Sequence, residues 1–291
     1  MKHSEFDEMY LEAFIRTAVE RHRIYVKRMA GAPKPWSDDV IYQDFFFCNL
    51  FRQYDKCSAW IIDNILPFER WDLIILYRFI SAYHTYEGLQ REGVPLDDLD
   101  AVHKYLQDHH TAGEVLFSGC FIRNPQLGRG RGPCKTFEVP FVIIDNIKKD
   151  GRFKEVLAQN TLESMVKYLR QFPATAGFMA YEYACDFEYT DYFNPTDKFT
   201  WANMGPGAQQ GLSLVLHRTR YKKFSKSEWL HYIRLLLPLL MKAVRTEFPR
   251  ELVSMREVEH WLCEFQKYVK YLEMKQIGHK VKHRKYDGGI Q

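Results

Sequence analysis

Residues 172–180 read FPATAGFMA, a short stretch between two segments, 161–171 and 177–188, that have the apolar spacing of helices. A proline and small side chains between helical segments predict a turn that joins the two helices. Similar helical spacing fills most of the chain, over residues 4–30, 37–65, 68–83, 98–108, 146–159 and 208–272. The sequence therefore predicts a mostly α protein, built as one compact unit or as two lobes.

Short strands or extended segments are predicted only around 115–145. Residues 115–123 and 137–145 (FEVPFVIID) flank a GRGRG loop that is too rich in glycine for a stable helix. Ser37, Ser227 and Ser254 are candidate helix caps, and the first of them is predicted to open a helix that runs to Ile65. Residues 1–275 are expected to form a single helical domain, followed by a basic flexible tail over 276–291.

The composition excludes several classes of protein. Hydrophobic residues make up 46% of the 291 residues and charged residues 27%, which is a globular mix. The apolar runs are far shorter than the ~18 residues of a membrane helix, and the acidic N-terminus does not resemble a signal peptide. The six cysteines form no CxxC pair, which favours reduced thiols. We therefore expect a cytoplasmic protein without a membrane partner.

Basic residues are concentrated in three islands, although the net charge is only +4. Residues 123–135 and 217–226 contain four and five Lys/Arg without an acid, and residues 267–285 contain seven against one Glu. Such islands are typical of a protein that binds the phosphate backbone of DNA, and solvated helix faces with a basic tail are the alternative. The DNA-binding candidates in the islands are Arg123, Arg129, Arg131, Lys135, Arg218, Arg220, Lys222 and Lys223.

The turn at 172–180 resembles the helix-hairpin-helix of DNA glycosylases, with its rough pattern Leu-Pro-Gly-x-Gly-x-x-x-Ala. Here Ala174 and Ala176 stand in place of the glycines, and Gly177 is shifted. The resemblance implies a glycosylase-like architecture in which these three residues bring backbone amides to a DNA phosphate. The lysine of bifunctional glycosylases corresponds to Phe178, so lyase chemistry is not implied.

In those glycosylases an essential aspartate follows the hairpin through a loop. Counting 17 residues from Ala180 reaches Asp197, within NPTDKFTW. The alternative is that Asp197 is a helix cap in a polar loop.

Six strings, spread over most of the chain, together resemble one family. They are AGAPKPWSDD (30–39), FFFCNLFRQYDK (45–56), LFSGCFI (116–122), GFMAYEYACDFEYT (177–190), WANMGPGAQQGL (201–212) and EVEHWLCEFQKYVKYL (257–272). Their order and spacing resemble the α-glutamyl/putrescinyl thymine pyrophosphorylase family of phage thymine-hypermodification enzymes, which is related to the helical domain of 5-hydroxymethyluracil DNA kinases. The phosphate-binding motif GxxxxGK[ST] is absent from these 291 residues, so the resemblance does not imply kinase activity.

The resemblance implies a transferase that acts on DNA. A separate kinase pyrophosphorylates 5-hydroxymethyluracil in DNA, and the family member then displaces the diphosphate with the amine of glycine, glutamate or a polyamine. The expected partners are DNA containing modified thymine, a small-molecule amine and a separate 5-hydroxymethyluracil DNA kinase. Because the target base is buried in duplex DNA, we expect the enzyme to flip it into a pocket.

This chemistry suggests roles for several residues of the matched strings. A carboxylate can stabilise a cationic intermediate or accept the amine proton, and Asp197 is the first candidate, ahead of Asp186. Asp186 is alternatively a structural ion-pair partner. Candidates for binding the diphosphate or the base are Lys34, Trp36, Asn49, Arg52, Trp201 and the turn Gly205, Pro206 and Gly207. The alternatives are a buried pair of Arg52 with Asp55, core packing of the tryptophans and a simple proline turn.

No residue is assigned as a metal ligand. Glu257, His260, Glu264 and Lys267 share one helical face, and an ion-pair ladder on the surface is favoured over a metal site. No cofactor is expected, and Mg²⁺ is compatible with a diphosphate substrate.

Two other functions share the same features. A DNA glycosylase has the same hairpin and aspartate and would leave abasic sites, whereas a non-catalytic module would bind modified DNA without changing it. The alanines of the hairpin also fit a family member whose substrate has changed.

Overall fold

The computed structural model describes residues 5–118, 136–175 and 177–278, and within these ranges it contains helices and no strand. The helices are α1 (Glu8–Met29), α2 (Val40–Asp44), α3 (Lys56–Asn64), α4 (Trp71–Ile80), α5 (Tyr83–Arg91), α6 (Leu99–Thr111), α7 (Val139–Asp150), α8 (Phe153–Gln159), α9 (Leu162–Leu169), α10 (Phe178–Phe187), α11 (Pro206–His217), α12 (Lys226–Glu247) and α13 (Met255–Gln276). Single 3₁₀ turns lie at Arg52–Tyr54, Leu66–Phe68 and Thr136–Glu138. The prediction of a mostly α protein is confirmed. No helix in the described ranges has the length and apolar character needed to cross a membrane.

The chain divides into two compact units. Among the described residues, the first unit combines 5–52 with 198–278, and the second unit consists of those between Gln53 and Asp197. The division agrees with the two-lobe alternative, while the expected domain boundary at residue 275 stays a prediction.

In the first unit, α11 and α13 pack at very short range. A Cβ atom on Gly211 would lie 2.0 Å from the carbonyl oxygen of Leu262, so only glycine fits at this position. On another side of α13, the Trp261 indole N–H donates to the carbonyl oxygen of Phe14 on α1 at 3.1 Å. These contacts fix α13 firmly between its neighbours.

The second unit is built around α4, whose residues from Asp72 to Ile80 are all buried. Helix α4 packs against α7 and α10, and α10 packs in turn against α9. Trp60 stacks on Tyr86 with ring centroids 4.2 Å apart, joining α3 to α5. The string WDLIILYRFI is apolar except for Asp72 and Arg78, as expected for a helix that is buried from Asp72 to Ile80.

The strand predicted over 137–145 is wrong, because Thr136–Glu138 is a 3₁₀ turn and Val139–Asp150 is α7. Pro140 lies in the first turn of α7, where a proline is well tolerated. Val139, Ile143 and Ile147 are buried at a spacing of four residues, which is the period of a helix face. Residues 115–118 contain no strand either, and 119–135 lie outside the described residues.

The single helix predicted from Ser37 to Ile65 is also wrong, because it is interrupted. Helix α2 ends at Asp44, the 45–51 segment is not helical, and α3 starts at Lys56. The cap of α2 is Asp39, which accepts the backbone N–H of Ile41 at 2.9 Å. Ser254 is confirmed as a cap, with Glu257 completing a capping box, whereas the cap of α12 is Ser225 rather than Ser227.

Candidate functional site

Helices α9 and α10 form a helical hairpin at the position where the sequence predicts one. The joining turn places Ala174 at φ 60° and Gly177 at φ 47°, both in a region that residues other than glycine rarely adopt. The hydroxyl of Thr175, which is fully buried, donates to the carbonyl oxygen of Phe172 at 2.7 Å and closes the turn. Ala176 lies outside the described residues. DNA binding by Ala174, Ala176 and Gly177 stays a prediction.

Asp197 lies at the N-terminus of α9 and caps it. Its Oδ1 accepts the backbone N–H of Leu162 at 2.7 Å, and its Oδ2 accepts that of Glu163 at 3.0 Å. A carboxylate is favoured here because the first amides of a helix lack partners within the helix and carry positive potential. The geometry therefore gives Asp197 a capping role in the second unit, and its predicted catalytic role stays a prediction.

Asp186 on α10 is engaged by a buried arginine of α4. Both nitrogens Nε and Nη2 of Arg78 donate to its carboxylate, the second at 2.6 Å. Arg78 Nη2 also donates to the hydroxyl of Ser58 at 2.8 Å. The two charged side chains are only 3% and 5% exposed. This bidentate pair matches the structural alternative for Asp186, because a buried guanidinium needs a compensating charge.

The first unit contains a cluster of chemically active side chains that joins α13 to the 45–51 segment. A thiol, an imidazole and a carboxylate, from Cys48, His260 and Glu264, offer ligand atoms that all lie within 4.8 Å of one another. The cluster is held in place by backbone bonds: Cys48 N–H donates to Glu264 Oε2 at 3.1 Å, and His260 Nε2 bonds the Asn49 carbonyl oxygen at 3.1 Å. We refer to these three residues as the thiol–imidazole cluster.

Two cations act on this cluster. Lys267 Nζ lies 2.7 Å from Glu264 Oε2, with the lysine side chain 30% exposed. Burial lowers the pKa of Lys267, but the nearby Glu264 and Cys48 raise it by more, so that the pKa lies above its ordinary value. Burial, together with Arg52 and Lys267, holds the pKa of His260 well below its ordinary value, so the imidazole is neutral. A buried carboxylate, a neutral imidazole and a charged ammonium group therefore meet at one place.

The surface ion-pair ladder favoured for α13 is not what the structure shows. Glu257, His260 and Glu264 are all at most 8% exposed. Glu257 belongs to the capping box at the start of α13, whereas His260 and Glu264 face the 45–51 segment. Sequence reasoning missed Cys48, because it lies 212 residues from His260 and no spacing rule joins the two.

The other predicted residues of the first unit are spread over several elements. Lys34 Nζ lies 5.0 Å from the centre of the Trp36 ring, whose N–H donates to the carbonyl oxygen of Ala32 at 2.7 Å. Asn49 is buried and bonds His260 through its backbone, and Arg52 is half-buried. The structure thus brings Asn49 and Arg52 to the thiol–imidazole cluster. The diphosphate-binding roles of these four residues stay predictions.

The Gly205–Gly207 turn opens α11, with Pro206 at its first position. A Cβ atom on Gly205 would lie 2.8 Å from Glu259 Oε1, and one on Gly207 would lie 2.5 Å from Cys263 Sγ. The glycines therefore allow α11 to approach α13 closely, which agrees with the structural alternative. Trp201 is buried, at 8% exposure.

The basic islands are described in part. Arg218 pairs with Asp7, and Arg220 Nη2 lies 2.9 Å from Glu273 Oε2. Lys222 Nζ lies 3.2 Å from His217 Nε2, and Lys223 is exposed. The remaining DNA-binding candidates, Arg123, Arg129, Arg131 and Lys135, lie outside the described residues, as does the tail from residue 279.

Comparison with known proteins places this arrangement in a family. The helical domain of 5-hmdU DNA kinase matches residues 8–277. The chain belongs to this helical-domain family. A curated member, the 5-hmdU DNA kinase of Bacillus phage SP10, is 24% identical over 282 residues, which cover 87% of this chain and 44% of the phage protein. The chain thus spans less than half the length of that relative. No solved structure matches the chain significantly.

The family match confirms the relation to the helical domain of 5-hydroxymethyluracil DNA kinases that the six strings predict. It covers both compact units and contains the α9–α10 hairpin, the Arg78–Asp186 pair and the thiol–imidazole cluster.

Proposed function

We propose that this helical-domain protein is a transferase that modifies thymine in DNA, replacing the diphosphate of pyrophosphorylated 5-hydroxymethyluracil with an amine. The observation that carries the proposal is the match of residues 8–277 to a domain of an enzyme named for its action on 5-hmdU DNA. The amine, from an amino acid or a polyamine, follows from the resemblance of the six strings. Duplex DNA, a separate kinase and a cytoplasmic site of action belong to the same proposal.

The reaction breaks the bond between the methylene carbon and the diphosphate oxygen, and forms a bond from that carbon to the amine nitrogen. The electron pair leaves with the diphosphate, and the uracil ring supplies electron density to the carbon. A base first removes a proton from the ammonium form of the amine, so that the lone pair of the neutral nitrogen forms the new bond. The enzyme must therefore supply cations for the leaving group and a proton acceptor for the amine.

Cations suited to the leaving group lie beside the thiol–imidazole cluster. Arg52 and Lys267 both lower the pKa of the buried His260 imidazole, so both cations lie close to it. The Lys267 side chain is partly exposed and forms an ion pair with Glu264. A guanidinium binds phosphate oxygens with a fork of N–H donors, and an ammonium group binds them as a point charge. This pair supports a diphosphate site in the first unit.

A DNA glycosylase is the second candidate, and the α9–α10 hairpin followed by Asp197 favours it. Its product differs, because it breaks the bond between base and sugar and leaves an abasic site. A non-catalytic module that binds modified DNA is the third candidate and leaves the DNA unchanged.

The proposal is tested by mass spectrometry of the nucleosides of an oligonucleotide that carries enzymatically pyrophosphorylated 5-hydroxymethyluracil. The DNA is incubated with the full chain and a mixture of glycine, glutamate and polyamines. We expect a new nucleoside with the mass of an amine adduct. Lys267→Met should reduce its yield at least about tenfold, since a charge that acts on the transition state contributes more than about 1.4 kcal/mol.

The matched control is Lys270→Met, because Lys270 is an exposed lysine of the same helix one turn further on. It should leave the yield unchanged. Unchanged DNA with every amine would overturn the proposal in favour of the binding module, and free base with abasic sites would overturn it in favour of the glycosylase.

A further inference from the structure

The thiol–imidazole cluster has the composition of a metal site rather than of an ordinary buried ion pair. It combines one sulfur, one nitrogen and one oxygen ligand within 4.8 Å of one another. Ligands at 2.0–2.3 Å from a tetrahedral Zn²⁺ are about 3.5 Å apart, so the three side chains need to close by about 1 Å. Cys48 and Lys267 are partly exposed, so an ion can reach the cluster without unfolding of the unit.

The hydrogen bonds around His260 and Glu264 engage one nitrogen of the imidazole and one oxygen of the carboxylate. His260 Nε2 is engaged by the Asn49 carbonyl oxygen, which fixes the proton on that nitrogen and leaves Nδ1 as the lone-pair nitrogen. Glu264 Oε2 accepts from Cys48 N–H and Lys267 Nζ, and within the described residues Oε1 has no hydrogen bond. An imidazole held by a backbone carbonyl and a carboxylate held by donors are the usual surroundings of metal ligands.

The ligand types decide the class of ion. Mg²⁺ and Ca²⁺ prefer oxygen ligands, whereas a thiolate with an imidazole and one carboxylate suits Zn²⁺ or a similar borderline ion. Three protein ligands leave a fourth position of a tetrahedral ion open to water or to an oxygen of a bound molecule.

The position of Cys48 depends on the break between α2 and α3. In a continuous helix the 45–51 segment would hydrogen-bond to itself, whereas here Cys48 N–H donates to Glu264 of α13. The same segment supplies the Asn49 carbonyl oxygen to His260. Two successive residues of one non-helical segment therefore position both ligands of α13, which are one helical turn apart.

We propose that Cys48, His260 and Glu264 bind a divalent cation of the zinc class, with Cys48 Sγ, a ring nitrogen of His260 and a Glu264 carboxylate oxygen as ligands. The proposal rests on the geometry of the first unit alone. It holds whether or not the chain transfers an amine, and it is tested without DNA.

The full chain is equilibrated with Zn²⁺ and unbound metal is removed by dialysis. The bound metal is then measured by inductively coupled plasma mass spectrometry. A parallel sample takes up Co²⁺, whose thiolate-to-metal charge-transfer absorption reports directly on a sulfur ligand. We expect one ion per chain and a clear charge-transfer band. Cys48→Ser and His260→Gln should each weaken Zn²⁺ binding by more than about 100-fold, since loss of a partner one shell further out already costs 10–100-fold.

The control is Cys263→Ser, because Cys263 is a half-buried thiol of the same helix that lies outside the cluster. It should retain both the metal and the band. Circular dichroism of each variant checks that the helices are formed. The Co²⁺ band of the unaltered chain tests the proposal even if a variant does not fold. Absence of bound metal and of the band in the unaltered chain would overturn the proposal, as would equal loss in Cys263→Ser.

Discussion

The buried pair of Arg78 and Asp186 allows the structural and catalytic roles of Asp186 to be separated. Asp186→Asn removes the negative charge that faces the Arg78 guanidinium, which is 3% exposed. Breaking a buried pair in this way costs about 3–5 kcal/mol, because the remaining charge keeps its full desolvation penalty. In thermal unfolding this corresponds to a loss of about 10–15 °C. Urea unfolding followed by circular dichroism measures the free energy.

A double variant removes both charges together. Arg78→Met with Asp186→Leu replaces the pair by apolar side chains, and such replacements are often neutral or stabilising. Here Ser58 Oγ loses its bond from Arg78, which costs about 1 kcal/mol. The double variant should therefore be more stable than Asp186→Asn by about 2 kcal/mol or more.

Asp108→Asn is the matched control, because Asp108 pairs with Lys104 at a similar 2.7 Å while the two side chains are 59% and 75% exposed. Its cost should stay below about 0.5 kcal/mol. A change of less than about 1 kcal/mol in Asp186→Asn would refute the reasoning from burial. Base modification by the double variant would show that Asp186 acts structurally, whereas a folded double variant without activity would support the catalytic role.

Three further predictions concern the turn, the cap and a buried histidine. Ala174→Gly should stabilise the protein by about 0.5–1 kcal/mol in urea unfolding, because it relieves the φ 60° backbone, and a loss of stability would contradict this. Asp197→Ala should lower the free energy of unfolding by about 2 kcal/mol, and Asp197→Asn by about half as much, since the Asn side chain keeps one oxygen acceptor for the first backbone N–H groups of α9. Stability equal to that of the unaltered chain in both variants would exclude the capping role. Burial and Arg21 lower the pKa of His22 from 6.5 to about 4, although Glu251 Oε1 lies 3.3 Å from its Nε2. Below pH 6.5 the unfolded chain then binds a proton at His22 that the folded chain does not bind. The free energy of unfolding should therefore fall by up to about 3 kcal/mol as the pH is lowered from 6.5 to 4. His22→Gln should remove that part of the pH dependence.

Helical periodicity and capping chemistry were sufficient to predict most of the fold. Ser254 is a cap because its hydroxyl and Glu257 satisfy amides within four residues, and such local interactions are visible in the sequence. The same holds for the hairpin, where the turn residues lie next to each other. The helix over 139–150 is not predictable from its sequence, because short apolar runs of strands and of buried helices look alike and the tertiary environment decides between them.

The candidate site was only partly predictable. His260 and Glu264 are one turn apart on α13, so their common face could be predicted from the spacing alone. The break of the helix at residues 45–51 could not, because neither proline nor glycine marks it. A continuous helix over this region would not predict a contact of Cys48 and Asn49 with α13, so the cluster cannot be predicted from the sequence. Likewise, nothing local indicates that Arg78 would pair with Asp186, 108 residues away.

The central claim is that this chain displaces diphosphate from a modified thymine with an amine. It is tested most directly by measuring diphosphate released from DNA that carries pyrophosphorylated 5-hydroxymethyluracil, with and without added amine. We predict release that requires both the modified base and the amine, with one diphosphate for each amine adduct formed. Release without adduct, or no release with any amine while the DNA is still bound, would contradict the claim.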